Sequence, residues 1–386
     1  MSSVTPIKSA PSFRKTTDTF VAGAKTLPQR YFISPEVFAQ ELEKIFSRQW
    51  ILVGHQSQIA RPGDYFVSEV SGESLIVVRD KRGEIHGFYN VCRHRGSRLI
   101  ENRNGQLSAA IQCPYHAWTY AFDGRLIGAP HMDDVPGFNK TEYSLHPVNV
   151  GLWEGFIFVN LADASAQRGG YISLNEWFVP LTGKFSRWNL PALRPAKRIE
   201  YDVRANWKLI FQNYSECYHC PGVHPELSKI SPYDSSENDL TEGPFLGGLM
   251  RIASDKSLTM SGRTCALPVG DFGNEDFRFV FYYSIFPNML LSLHPDYVMV
   301  HQLQPQSPER TLILCDWFFH PEAFERQDFR PEDAIEFWDM VNRQDWHVCE
   351  LSQQGIASRT YQPGPYSSRE SIPAAWDRYY HWRLDS

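Results

Sequence analysis

The sequence predicts an α+β protein, in which a small all-β domain precedes a larger domain that combines an antiparallel sheet with long helices. Three observations predict it. Between Tyr65 and Tyr89, short runs rich in Val, Phe and Ile are separated by turn pairs at Ser71-Gly72 and Arg82-Gly83, the pattern of antiparallel strands. Apolar stretches near 277–285, 289–304 and 309–319 read as further strands of a second sheet. Residues 206–219 and 332–354 carry apolar residues at helical spacing. With 386 residues, 42% hydrophobic and 21% charged, the chain has the length of two domains and the composition of an ordinary globular protein.

The elements follow in chain order. Met1 to Phe20 has no apolar core and no signal cleavage pattern, which predicts a flexible tail and no export. Ser34-Pro35-Glu36 starts a helix whose Phe38, Leu42, Ile45 and Phe46 share one face that should pack on the catalytic domain. Gly155 to Leu161 reads as the last strand of the β domain, and 162–205 as a connecting region. The expected divisions are therefore 1–45, 46–162 and 163–386.

Within the β domain, Cys92-x-His94 and Cys113-x-x-His116 stand eighteen residues apart. Each half supplies one thiol and one imidazole, and Gly96, Gly105, Pro114 and Gly124 supply turns that could bring two hairpin tips together. Two thiolates on one iron and two imidazoles on the other make a Rieske [2Fe–2S] centre, so the chemistry read here is electron transfer. A Cys2His2 zinc site is the alternative, although zinc pairs tend to segregate as Cys-x-x-Cys and His-x-His.

A second constellation lies at Asn213 to Pro225. Trp207, Ile210, Phe211, Tyr214 and Tyr218 form an apolar helical stripe, which places Gln212, Glu216 and His219 on the opposite face. Pro221 should stop that helix and Gly222 should turn the chain, so that His224 folds back towards His219. Two imidazoles and one carboxylate on a face of Fe(II) leave positions open for oxygen. In the helix over 332–354, which Gly355 should follow, Asp345 sits at the centre of a stripe of Trp338, Val341, Val348 and Cys349. A carboxylate there is costly unless paired or metal-bound, so Asp345 is the third expected ligand; a buried Asp bonded to an Arg or to Trp346 is the alternative. Glu216 is read as a bridge between an iron-ligand imidazole and a cluster-ligand imidazole, or else as a carboxylate that only orients His219.

The Rieske pattern, the Glu216-x-x-His219-x-x-x-x-His224 segment and Gln344-Asp345-Trp346 together resemble the catalytic α subunit of Rieske non-heme iron ring-hydroxylating oxygenases, from residue 30 to the end. Glu216-Cys-Tyr-His-Cys-Pro221, Ser284-Ile-Phe-Pro-Asn288 with Tyr297, and Asp345-Trp-His-Val-Cys-Glu350 are similar to the branch that oxidises quaternary ammonium compounds, the glycine betaine, choline and carnitine monooxygenases. The spacing between His94 and Cys113 is slightly long for that family, which allows a loop insertion around Asn102 to Gly105. The resemblance implies a helix-grip, START-like catalytic domain. It also implies a [2Fe–2S] cluster, Fe(II), O2-dependent N-demethylation with release of formaldehyde, and a head-to-tail homotrimer with Glu216 at the subunit junction. Cis-dihydroxylation of an aromatic acid, and electron carriage without further chemistry, are the competing functions.

No Gly-x-Gly-x-x-Gly fingerprint or P-loop follows a strand, so NAD(P)H and flavin are expected only in a separate reductase. A net charge of −6 gives no basic surface for nucleic acid or anionic membrane, and Phe279 to Leu293 is too short to span a bilayer. Arg93, Arg95 and Arg98 are a local exception, read as a solvated loop or as a dock for an acidic electron donor. Of seven cysteines, two are given to the cluster and the rest are read as reduced thiols in a cytoplasmic protein, Cys217 and Cys220 as pocket-lining thiols. Because a trimethylammonium group accepts no hydrogen bond, aromatic faces should hold it; Tyr214, Phe286 and Tyr297 are candidates from their neighbourhood, with core filling as the alternative.

Overall fold

A computed structural model of the chain describes residues 12–163, 171–253 and 256–386. They form two compact units, Ala39–Arg194 and the residues up to Phe38 together with Pro195–Ser386. Among the described residues no helix is long and apolar enough to cross a membrane.

In the first unit a seven-stranded antiparallel sheet has the order Ile51–His55, Phe156–Asn160, Pro147–Trp153, Ile85–Tyr89, Glu73–Arg79, Asp64–Val70, Asn104–Gln106. The turns at Ser71-Gly72 and Arg82-Gly83 fall where the sequence puts them, and both glycines adopt positive φ. The segment expected to be an inserted loop is instead the edge strand Asn104–Gln106, paired with Asp64–Phe66. A three-stranded sheet, Ile111–Gln112, Thr119–Tyr120 and Leu126–Gly128, completes the unit.

The second unit is built on an eight-stranded sheet in the order Arg14–Lys15, Glu237–Leu240, Phe245–Arg251, Phe279–Ile285, Met289–Leu293, Val298–Ser307, Arg310–Phe319, Arg194–Val203. Three expectations are corrected here. The strand expected over 289–304 is two strands, because Pro295 cannot serve a ladder and the chain turns between His294 and Tyr297, whose N–H and carbonyl meet at 3.0 Å. The supposed connector 162–205 ends in the strand Arg194–Val203, whose charged residues hid it; at the sheet edge Arg198 makes a two-pronged pair with Asp316 at 2.8 and 2.6 Å. The expected flexible tail is in part ordered, since Arg14–Lys15 pairs with Glu237 and Asn238, and the Thr16 hydroxyl accepts from the Asn238 amide at 2.8 Å. Residues 1–11 of that tail lie outside the described residues.

Two helices flank the site. Asn206 caps Trp207–Tyr214 by accepting from Lys208 N–H at 3.1 Å, and the helix buries Trp207, Ile210 and Phe211. Pro331–Ile356 starts with Pro and two acidic residues, which suits an N-terminus, and it runs through Gly355, which had been expected to lie beyond its end. The helices are tied by Gln353, whose side chain accepts from Asn206 N–H at 3.0 Å, and by Cys349, whose thiol points at the Leu209 carbonyl at 3.7 Å.

A third helix, Ser371–Asp385, holds Asp377 between the Gln212 amide and the Tyr366 hydroxyl, each at 2.7 Å. Burial pushes this carboxyl up to about 7 against those two hydrogen bonds. Since its folded-state value exceeds the unfolded one, its contribution is fully present below about pH 4 and is lost as pH rises to about 7. Asp377→Asn removes that slope. Thermal unfolding at pH 5 and pH 8 should therefore show the variant gaining on the parent by about 3 kcal/mol at the higher pH; parallel pH profiles would refute the assignment.

Candidate functional site

The first site is made by two turns of the same design. Cys92 N–H donates to Ser97 O and Gly96 N–H to Cys92 O, while Cys113 N–H donates to Trp118 O and Ala117 N–H to Cys113 O, all between 2.8 and 3.1 Å. Each turn needs a left-handed residue, Gly96 at φ 75° and Ala117 at φ 57°. The two turns bury both thiols, whereas His94 is exposed and His116 half-buried, with their rings 4.7 Å apart. Trp118 stacks on His94 at 4.8 Å, and the Tyr120 hydroxyl lies 3.3 Å from the Cys92 sulfur.

Burial pushes the Cys92 thiol up. At Cys113 burial acts in the same sense, but the backbone N–H groups of Tyr115 and His116 outweigh it and hold that thiol below its ordinary range. Partial desolvation of its ring, then His116 and Arg95, lower His94 from the ordinary imidazole range, which favours the form that binds metal. Thiols inside and imidazoles outside suit a two-iron cluster whose irons differ in ligand type. Of the nearby arginines, Arg93 donates to Ser144 O at 2.6 Å and Arg98 pairs with Glu69 at 3.3 Å, so both are engaged locally.

The second site departs from the expected single helix. The helix stops at Tyr214 because Ser215 turns its hydroxyl back onto Phe211 O at 2.6 Å, and the Glu216 carboxylate accepts from the backbone N–H groups of Tyr218 and His219. Tyr218 is accordingly exposed and not part of a core stripe. Pro221 opens a new short helix, Cys220–Val223, where a missing N–H costs nothing, and does not end an old one. Cys217 and Cys220, expected as thiols, form a disulfide across this turn with their Cα atoms 5.0 Å apart, inside the range a bridge requires. Both still line the cavity.

His219, His224 and Asp345 converge, their nearest donor atoms all within 4.8 Å of one another. Asp345 Oδ1 lies 2.8 Å from His224 Nε2 and 3.2 Å from His219 Nε2. The opposite nitrogens are engaged, His219 Nδ1 with Glu216 Oε1 at 2.5 Å and His224 Nδ1 with Gln344 Oε1 at 2.7 Å. Each of those oxygens accepts a hydrogen bond, which fixes Nδ1 as the protonated position and turns both Nε2 lone pairs towards the Asp345 carboxylate. Three acceptors facing one another call for a cation, and two imidazoles with a carboxylate are the ligand set of non-heme Fe(II).

Where a proton takes the cation's place, His219 holds it: burial opposes the charged form, yet the hydrogen bonds that the ring donates to the Asp345 and Glu216 carboxylates push it up to about 10. Burial would raise Asp345, but its bonds to His219 and His224 hold it down to about 2. Sequence reasoning gave Gln344 no role, since a Gln on a helix carries no signal of its partner.

This set opens on a cavity of about 110 Å³. Tyr214, Tyr282, Trp338 and Trp346 supply aromatic walls, and Met250 and Met299 supply flexible ones. Gly247 and Gly248 form part of the lining; at Gly247, with φ 138°, a Cβ would meet Tyr282 O at 2.1 Å. Of the three aromatic candidates only Tyr214 reaches the cavity. Phe286 packs among Trp207, Trp376 and Tyr379, and Tyr297 is buried behind the wall, accepting from Trp338 Nε1 and donating to Leu258 O, each at 2.6 Å.

Family models match the stretches of chain that contain both sites. The family model for the ring hydroxylating alpha subunit (catalytic domain) matches residues 190–386, and that for the Rieske [2Fe-2S] domain matches residues 49–139. The chain is 33% identical to a glycine betaine monooxygenase oxygenase subunit from Chromohalobacter salexigens, across 89% of this chain and 82% of the relative. It is 31% identical to a carnitine monooxygenase oxygenase subunit from Acinetobacter baumannii, across 88% and 87%. Among solved structures, the quaternary ammonium Rieske monooxygenase CntA in complex with L-carnitine superposes with a TM-score of 0.77 at 28% identity, covering 96% of this chain and 98% of that one. The chain therefore belongs to the ring-hydroxylating α-subunit family and is the oxygenase subunit of a Rieske non-heme iron monooxygenase, an oxidoreductase that uses a [2Fe–2S] cluster and a catalytic iron.

Proposed function

We propose that this subunit oxidises an N-methyl group of a quaternary ammonium compound, glycine betaine in the first instance, and releases formaldehyde. The observation that carries the reading is the aromatic-walled cavity set directly against the His219–His224–Asp345 triad. A trimethylammonium group can be neither hydrogen-bonded nor paired at short range, whereas aromatic lining residues such as Tyr214, Tyr282 and Trp338 can attract it through the ring quadrupole. The relatives' substrates support the same class.

In this reading Cys92, Cys113, His94 and His116 hold the cluster, and His219, His224 and Asp345 hold the iron. When bound, the two groups supply electron delivery and oxygen activation respectively. The chain's own residues do the rest. Gln344 and Glu216 lock the imidazole tautomers, Tyr297 holds Trp338 in place as a wall, and the aromatic lining keeps bulk water from the reacting methyl group. One oxygen atom enters the methyl group and the other leaves as water, with two electrons and two protons consumed. The hydroxymethyl cation then collapses to formaldehyde, a proton and the demethylated amine.

The electrons come from a separate flavin and iron–sulfur reductase fed by NAD(P)H, and the working assembly is a homotrimer in the cytoplasm. Purified protein given iron, a reductase, NADH, oxygen and glycine betaine should release one formaldehyde per betaine consumed. No formaldehyde, but a diol from an aromatic acid, would replace this reading with ring dihydroxylation.

A further inference from the structure

The cavity beside the triad adjoins a second hollow lined by the exposed Lys15, Tyr218 and Asp234, and the two share Thr16, Cys217, Ser236 and Arg369. Arg369 thus stands where the inner space meets the outer. Its backbone is fixed by a capping turn in which Ser367 Oγ accepts from Arg369 N–H at 3.2 Å and Glu370 accepts from Ser367 N–H at 2.6 Å. The guanidinium lies over the Tyr233 ring at 5.0 Å, and among the described residues no carboxylate forms an ion pair with it.

Lys15 also lines the outer hollow without an ion pair, and Asp234 is the one acid among that hollow's described lining residues. Two cations against one anion mark the mouth, while the inner walls offer aromatic faces. A molecule that is cationic at one end and anionic at the other is oriented by this arrangement, ammonium inward and carboxylate outward. An amino alcohol gains from the inner half alone and meets two like charges on its way in.

We propose that Arg369 is the specificity-determining residue of this cavity, binding the carboxylate of a zwitterionic trimethylammonium carboxylate and so selecting such compounds over trimethylammonium alcohols. The inference rests on the proposed oxidation of an N-methylated cation. Its planar fork matches a carboxylate in two-pronged fashion, and Tyr233 beneath it keeps the fork from collapsing onto the surface.

The test compares glycine betaine with choline, which differ by a carboxylate against a hydroxymethyl group, in binding calorimetry and in kcat/KM. Arg369→Gln should weaken glycine betaine about 30-fold on both measures while changing choline less than about 3-fold. Equal losses on both compounds, or an unchanged glycine betaine constant, would overturn the proposal. A measurement on the wild-type protein covers the case of a variant that does not fold. Raising ionic strength from about 0.02 to about 0.5 M should weaken glycine betaine binding and leave choline binding equal or tighter, and the opposite order overturns the proposal. Wild-type protein that binds neither compound removes the proposed function along with it, whereas binding of both without dependence on Arg369 removes this inference alone.

Discussion

His224→Ala abolishes turnover, by more than about 100-fold, while the visible spectrum of the [2Fe–2S] cluster stays as in the parent. The expectation follows from where His224 sits. It is 1% exposed, it lies between two short helices that each begin next to a proline, and both of its ring nitrogens are engaged, one by Gln344 and one by Asp345. Loss of a supporting partner around a metal ligand typically costs 10- to 100-fold in affinity or activity, and loss of the ligand itself should exceed that. The residues proposed to hold the cluster stand in a different compact unit, on turns closed by their own backbone hydrogen bonds. Total iron should therefore fall by the mononuclear equivalent while the cluster's two irons remain. Retained turnover, or loss of the cluster spectrum together with activity, would contradict the assignment of His224 to a separate iron site.

Which parts of this arrangement could be read beforehand follows from the kind of constraint each part obeys. That Cys92, His94, Cys113 and His116 come together was legible because each half pairs a thiol with an imidazole and the chain must turn between them. Asp345 was legible because a carboxylate in an apolar helical stripe contradicts its neighbours unless something compensates it. The helix over 206–219 was misread for a reason that periodicity cannot carry: Ser215 and Glu216 satisfy backbone groups with their own side chains and stop the helix early. That early stop frees His219 from a helix face and lets the Cys217–Cys220 bridge form across the turn. Tyr297 is only a candidate for the cavity from chain neighbourhood, with core filling as its alternative, because neighbourhood carries no direction; in the fold its hydroxyl faces Trp338 and Leu258 and the ring is core. The strand Arg194–Val203 went unread because a half-buried edge strand with charged residues lacks the alternation that marks a core strand, and the helix Ser371–Asp385 because its first two turns are buried all round and show no single apolar stripe.

Glu216→Gln should keep both metal centres and yet slow turnover by more than about 100-fold, with the delay appearing in the reoxidation of the reduced cluster when oxygen and substrate are added. One carboxylate oxygen of Glu216 accepts from His219 Nδ1 at 2.5 Å, and the other accepts from the backbone N–H groups of Tyr218 and His219. Glutamine retains one acceptor and replaces the other by an NH2 group. If its carbonyl stays on His219, the NH2 faces two N–H donors; if it turns round, the NH2 faces an imidazole N–H. Either way the substitution removes the negative charge beside His219 and one or two hydrogen bonds, but none of the three residues proposed to hold the iron. The two readings of Glu216 then separate. A carboxylate that only orients His219 would lose about 10- to 100-fold in iron affinity on substitution, and excess iron would restore turnover. A carboxylate that carries the connection between centres leaves iron content unchanged, and added iron restores nothing. Iron analysis beside stopped-flow reoxidation of the cluster decides between them, and a variant that turns over at the parent rate removes both.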